Sequence, residues 1–212
     1  MKSKAYTLVE IVVTISIILI LAAVVLPQAF RAVEKSKVTK AVADIHSIKT
    51  AALAFYADVK LWPGSQWGTM PRDPLSPAEY GEGFVTPPRV RSGSSQEQQI
   101  AQARIARWNG PYLEKWSFTP WGMPYMWDYN NWDANCNRGC CHTAFCDMEH
   151  ILWLDLAHWP GPYDQSQKVP RSARDKLDLI FDSRLNKSEG IICEMDNGFY
   201  GNSIMAVVAE GY

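Results

Sequence analysis

Charge of neither sign dominates this chain: 21 Lys and Arg face 22 Asp and Glu, a net of −1 over 212 residues. A nucleic-acid surface needs a basic patch, so nothing here indicates a nucleic-acid partner. Enzyme signatures are missing as well. There is no Ser nucleophile elbow, no H-E-x-x-H and no phosphate-binding glycine loop. His46 stands apart from His142, His150 and His158, which crowd a cysteine-bearing stretch and read as surface residues rather than a catalytic set. The chain therefore reads as a non-enzyme. Cysteine is scarce, five residues in all, and lacks the paired C-x₂-C spacing of a structural zinc site.

What the N-terminal stretch has instead is hydrocarbon. A short leader with Lys2 and Lys4 ends at Ala5-Tyr6, and the apolar run behind it contains one charge, Glu10. As helix, residues 6–26 would measure about 31 Å, enough for the ~30 Å hydrocarbon core of a bilayer. An ionised carboxylate there is costly unless something neutralises it, which makes Glu10 a functional candidate. A secretory signal would carry its small-residue cleavage site after the apolar run. Here the small residue, Ala5, precedes it, so cutting there would leave the helix on the mature protein. The segment Lys4-Ala5-Tyr6-Thr7-Leu8-Val9-Glu10, followed by the apolar residues 11–26 and Pro27, resembles the prepilin leader of type IV pilins and type II secretion pseudopilins. It differs in having Ala5 where Gly is commoner and Tyr6 where Phe is commoner.

Beyond Pro27, the residues Phe30, Val33, Val38, Ala41, Val42, Ile45, Ile48, Ala52 and Phe55 recur at three- and four-residue steps, with charged residues between them. That is a helical period with one apolar stripe, and it carries the helix to about residue 58. Pro27 lacks an amide proton and clashes with the preceding turn, which predicts a kink or a local loss of helix. The remaining chain is long enough for one soluble domain with its own core.

Residues 61–93 are crowded with Pro and Gly and read as a long loop. Ser94-x-x-Glu97 looks like a capping box that opens a helix running to about Trp108. Strands are expected at 151–156, 190–194 and 204–209, a helix at 170–181, and a turn at Asp196-Asn197-Gly198. If Lys2 and Lys4 hold the leader in the cytoplasm, Cys136, Cys140, Cys141, Cys146 and Cys193 face an oxidising space, where disulfides are the default. We expect a stapled loop over 136–146 with Cys193 tying it to a later strand. Two pairs among the cysteines allow about 15 connectivities, so the sequence assigns none. Cys136, Cys141 and His142 also have a spacing reminiscent of haem attachment, and the cysteines with His142 or His150 supply the residue types for zinc. Asp128, Asp133, Asn135 and Asn137 lie in an oxygen-rich stretch whose 133–139 portion nearly matches the opening of a calcium loop. Arg138 stands where that loop wants Gly, and no Glu closes it, so a metal-free Asn/Asp turn is the plainer reading and no cofactor is required. Asn186-Lys187-Ser188 fits a glycosylation sequon.

A second resemblance comes a hundred residues later. Trp108-Asn109-Gly110-Pro111-Tyr112-Leu113 and Pro120-Trp121-Gly122-Met123-Pro124-Tyr125 resemble the start of the sheet in the major pseudopilin and related pilins, where both turns pack against the long helix. Together the two resemblances imply an α+β type IV pilin fold. Its parts would be a leader over 1–5, a long helix over 6–58 whose 6–26 portion is the transmembrane segment and filament core, and a head over 59–212 of antiparallel sheet with loop insertions. They imply cleavage between Ala5 and Tyr6 by a prepilin peptidase and N-methylation of Tyr6. An assembly ATPase and platform protein would then drive identical copies from the inner membrane into a periplasmic or extracellular helical filament. Glu10 would answer the Tyr6 amine of a neighbouring copy, and Pro27 would mark where the helix extends. The expectation is a structural subunit of a type IV pilus-like filament. The major pseudopilin of a type II secretion system is the alternative, and a membrane-anchored haem or metal-binding protein is a reading of a different class.

Overall fold

In the computed structural model, which describes residues 7–64, 81–90, 95–130, 149–155, 168–182, 191–197 and 201–210, the apolar stripe becomes one long helix. This is α1, Leu8–Val59, and it runs for 52 residues. It is followed by α2 (Ser95–Ile105), β1 (Met126–Asn130), β2 (Glu149–Asp155), α3 (Arg171–Asp182), β3 (Ile192–Asn197) and β4 (Gly201–Glu210). The chain divides into two compact units, Met1–Lys37 and Val38–Tyr212.

The expected loss of helix at Pro27 does not occur, because α1 is continuous through it. Proline's fixed φ is itself helical, and what it removes is one hydrogen bond and the room for one carbonyl. An apolar helix with intact turns on both sides carries that loss. At the other end α1 stops without a glycine: Lys60 takes the left-handed conformation, φ 58°. Its amide donates to the Tyr56 carbonyl at 2.9 Å, the bond that closes an αL cap.

The second unit is built on the C-terminal half of α1. Val38, Ala41, Ile45, Ile48, Ala52, Phe55 and Val59 are buried, the spacing that the sequence period assigns to one face. The four strands form one antiparallel sheet in the order β1-β2-β4-β3. Register lines up a single row across all of them, Trp127 opposite Leu152, Leu152 opposite Ala206, and Ala206 opposite Ile192. All four are buried in the same cluster as Val38, Ala41, Ile45, Ile48 and Ala52 of α1, so this row belongs to the core face of the sheet. α3 adds Ala173 and Leu177 to that cluster.

Several boundaries differ from expectation: α2 ends at Ile105 rather than near Trp108, and β4 begins at Gly201 rather than at 204. Residues 126–130 form β1, with Asp128 opposite Ile151 and Asn130 opposite Glu149. β3 also runs on through Asp196 and Asn197, which pair with Asn202 and Gly201, so these two residues of the expected turn belong to the strand, while Gly198 lies outside the described residues. The sheet is anchored to α3 by Asp182, whose carboxylate accepts from the amides of Ile191 at 2.7 Å and Ile192 at 3.0 Å. Asp182→Ala strands both donors at the start of β3, and thermal unfolding should register a loss of about 1–3 kcal/mol. An unchanged melting temperature would show that water replaces the carboxylate at no cost.

Candidate assembly site

Glu10 lies in the first turn of α1, where the helix offers orphan amides. Its Oε2 accepts from the Thr7 amide at 3.2 Å and the Thr7 hydroxyl at 3.1 Å, while its own amide donates to Thr7 Oγ1 at 3.3 Å. This is a reciprocal capping box, and it also sets a carboxylate at the positive end of the helix dipole. Sequence reasoning missed Thr7. The signal was there: Thr7-x-x-Glu10 is the same pattern that Ser94-x-x-Glu97 displays.

Behind this cap lies a bare apolar surface. From Leu8 to Leu26 nearly every side chain of α1 is exposed, and the exposure continues through Phe30 at 71% and Val33 at 55%. Soluble monomers rarely carry a contiguous apolar patch of that extent, so lipid or protein must cover it. By length and composition α1 qualifies as a membrane span. Its hydroxyls are satisfied internally: Thr14 donates to the Glu10 carbonyl and Ser16 to the Val12 carbonyl, each at 2.7 Å.

In the second unit, the two aromatic turns grip the buried half of α1. Tyr112 and Leu113 donate their amides to the Phe84 carbonyl at 2.8 and 3.1 Å. The Tyr112 hydroxyl donates to Asp58 of α1 at 2.8 Å, and its ring meets Phe55 edge-on at 5.9 Å. Trp108 donates from its indole to the Gly83 carbonyl at 2.9 Å and packs edge-on against Tyr112. Gly110 is required in this arrangement, since a methyl group there would run into the Trp108 indole. The second turn closes through Thr119 and Gly122: the Thr119 amide donates to the Met123 carbonyl at 2.7 Å, and Gly122 carries φ +106°. It delivers Tyr125, whose hydroxyl donates to Asp44 of α1 at 3.2 Å.

Tyr125 is held protonated well above its ordinary value of 10.0, first by burial, then by the charge and hydrogen bond of Asp44. Tyr112 shifts the same way, again led by burial. A group whose folded pKa is raised contributes stability below its unfolded pKa and loses it as the pH rises toward the folded value. Above pH 10 the unfolded chain releases these protons while the folded chain keeps them, so stability should fall with pH. Tyr125 alone contributes a slope of about 1.4 kcal/mol per pH unit. Tyr125→Phe should flatten the alkaline decline in melting temperature, and it leaves Asp44 paired with Lys40 at 2.7 Å. Identical declines in both proteins between about pH 10 and 11.5 would contradict the assignment.

Of the other sequence candidates, Ala5, Tyr6, Cys136, Cys140, Cys141, Cys146, Asp133, Asn135 and Asn137 lie outside the described residues. The same is true of His142, His158, Ser94 and the 186–188 sequon. Cys193 is in β3 at the position opposite Met205. Asp128 belongs to a strand rather than to a loop. Among the described residues no three His, Cys, Asp or Glu side chains come together as a metal site. His46 packs its ring on Phe181 at 5.3 Å.

Residues 1–26 match the prokaryotic N-terminal methylation motif, and residues 32–137 match the family described as PilW, C-terminal. The type II secretion system core protein G of Pseudomonas aeruginosa is 32% identical over 127 residues, covering 59% of this chain and 73% of that protein. No solved structure matches the chain. A methylation motif ahead of a bare apolar helix and an α+β head bound to that helix thus agree with the matches, and the chain belongs to the type IV pilin and pseudopilin family of filament subunits.

Proposed function

We propose that the chain is cut between Ala5 and Tyr6, methylated at Tyr6, and built through α1 into a type IV pilus-like filament of identical copies. The bare apolar surface of α1 carries this reading, since outside a bilayer identical rods are the natural cover for one another. Glu10 is the one charge in the run from Leu8 to Leu26, and the Tyr6 amine of a neighbouring copy answers it, which makes the pair a gauge of subunit rise. An assembly ATPase and a platform protein move copies from the inner membrane into the periplasmic or extracellular filament. The work is assembly, with no reaction to catalyse. A second reading, the major pseudopilin of a type II secretion system, is favoured by the similarity to core protein G of Pseudomonas aeruginosa.

Deleting the gene separates the two. Loss of surface fibres in electron micrographs, with secretion intact, supports the pilus. A secretion defect in cells that bear no long fibres supports the pseudopilus. A processed protein that is recovered as a solitary membrane anchor, with neither defect, would rule out both.

A further inference from the structure

Cations return to α1 where its apolar run stops. Arg31, Lys35 and Lys37 follow within two turns, opposed by a single carboxylate, Glu34. Arg31 and Lys35 are exposed and Lys37 is half-buried. At ~100° per residue, Lys35 stands one turn above Arg31 on the same side, while Lys37 stands nearly opposite. The cations therefore stand on two sides of the helix instead of marking one face. A protein partner would favour one face, whereas the lipids around a single helix surround it.

Their depth suits the same partner. At ~1.5 Å per residue from Leu8, Arg31 lies about 34 Å along the axis, just past a ~30 Å hydrocarbon core, with Lys35 and Lys37 within side-chain reach of the headgroup layer. With the leader in the cytoplasm, this flank is the translocated one, where Lys and Arg are normally avoided.

We propose that Arg31, Lys35 and Lys37 form a collar that binds anionic phospholipid headgroups, such as phosphatidylglycerol, in the translocated leaflet and sets the depth of the unassembled subunit. The proposal rests on the reading that the first half of α1 spans a bilayer. Subunits entering a filament leave these headgroups behind, so the collar also resists extraction.

Electron spin resonance of spin-labelled lipids in bilayers holding the full-length protein tests this. Labelled phosphatidylglycerol should be enriched over phosphatidylcholine in the motionally restricted annulus by about three- to tenfold. The preference should vanish in Arg31→Gln/Lys35→Gln/Lys37→Gln and survive in Arg31→Lys/Lys35→Arg/Lys37→Arg. It should also weaken in ~1 M salt, where the screening length is about 3 Å. An annulus with no headgroup preference, or one that the Gln variant keeps, overturns the collar while leaving the span intact. No restricted lipid of either kind would remove the membrane-spanning reading, and the collar with it.

Discussion

Glu10→Ala should be inserted, cleaved and methylated as usual yet yield almost no filament, a loss of at least about tenfold in the sheared fibre fraction, where tenfold corresponds to ~1.4 kcal/mol. The magnitude follows from what the carboxylate does in two states. In the free chain it is held by the amide and hydroxyl of Thr7, at 3.2 and 3.1 Å. In the proposed filament it would leave this cap for a neighbour's amine, and without it every copy would bury an unanswered positive charge, at a cost of several kcal/mol. Two companion variants separate the contributions. Glu10→Gln keeps the hydrogen bonds of the cap but not the charge, and should fail nearly as fully. Thr7→Ala loses the cap, about 1 kcal/mol of helix start, while keeping the charge, and should assemble at reduced yield. Wild-type fibre yield from Glu10→Ala, measured by immunoblot and electron microscopy, would refute the role.

The largest effect on stability is expected at Trp127. It is fully buried, donates its indole proton to the Pro63 carbonyl at 3.0 Å, and meets Phe84 edge-on at 5.3 Å. It also occupies one end of the row that crosses all four strands. Trp127→Ala opens a cavity where sheet, α1 and the 81–90 turn meet, and should cost about 3–5 kcal/mol. At ~2–4 °C per kcal/mol, the melting temperature of the detergent-solubilised chain would fall by about 6–20 °C. Phe30→Ala provides the contrast, because Phe30 is 71% exposed and supports no core. It should leave the melting temperature unchanged. A fall of only a degree or two for Trp127→Ala would mean that the described packing around it is wrong.

The parts of this fold that were legible in sequence are those with local causes. The period of Val38, Ala41, Ile45, Ile48 and Ala52 announces one buried face, and that face shares its cluster with the sheet. Glu10 declares itself by its surroundings, and the two aromatic turns by their Gly-Pro and Trp-Gly chemistry. The bonds that give those turns their purpose were not legible. Tyr112 reaches Asp58 across 54 positions and Tyr125 reaches Asp44 across 81, and neither leaves a trace in its own neighbourhood. β1 was hidden for another reason. Asp128 and Asn130 are typical turn residues, and their polarity masked a strand whose core side is marked by the buried Trp127. At Pro27, of the two outcomes that proline's missing amide predicts, the local loss of helix is absent, since α1 runs through it.

Thr14 and Ser16 turn their hydroxyls back onto their own helix. Between Ile11 and Leu26 the rod therefore offers its neighbours only dispersion contacts, which have no preferred direction. In the filament proposed above, rods of this kind would slip and swivel against each other as strands of a greased rope do, with Glu10 keeping count. A fibre under tension would then change pitch before it parted.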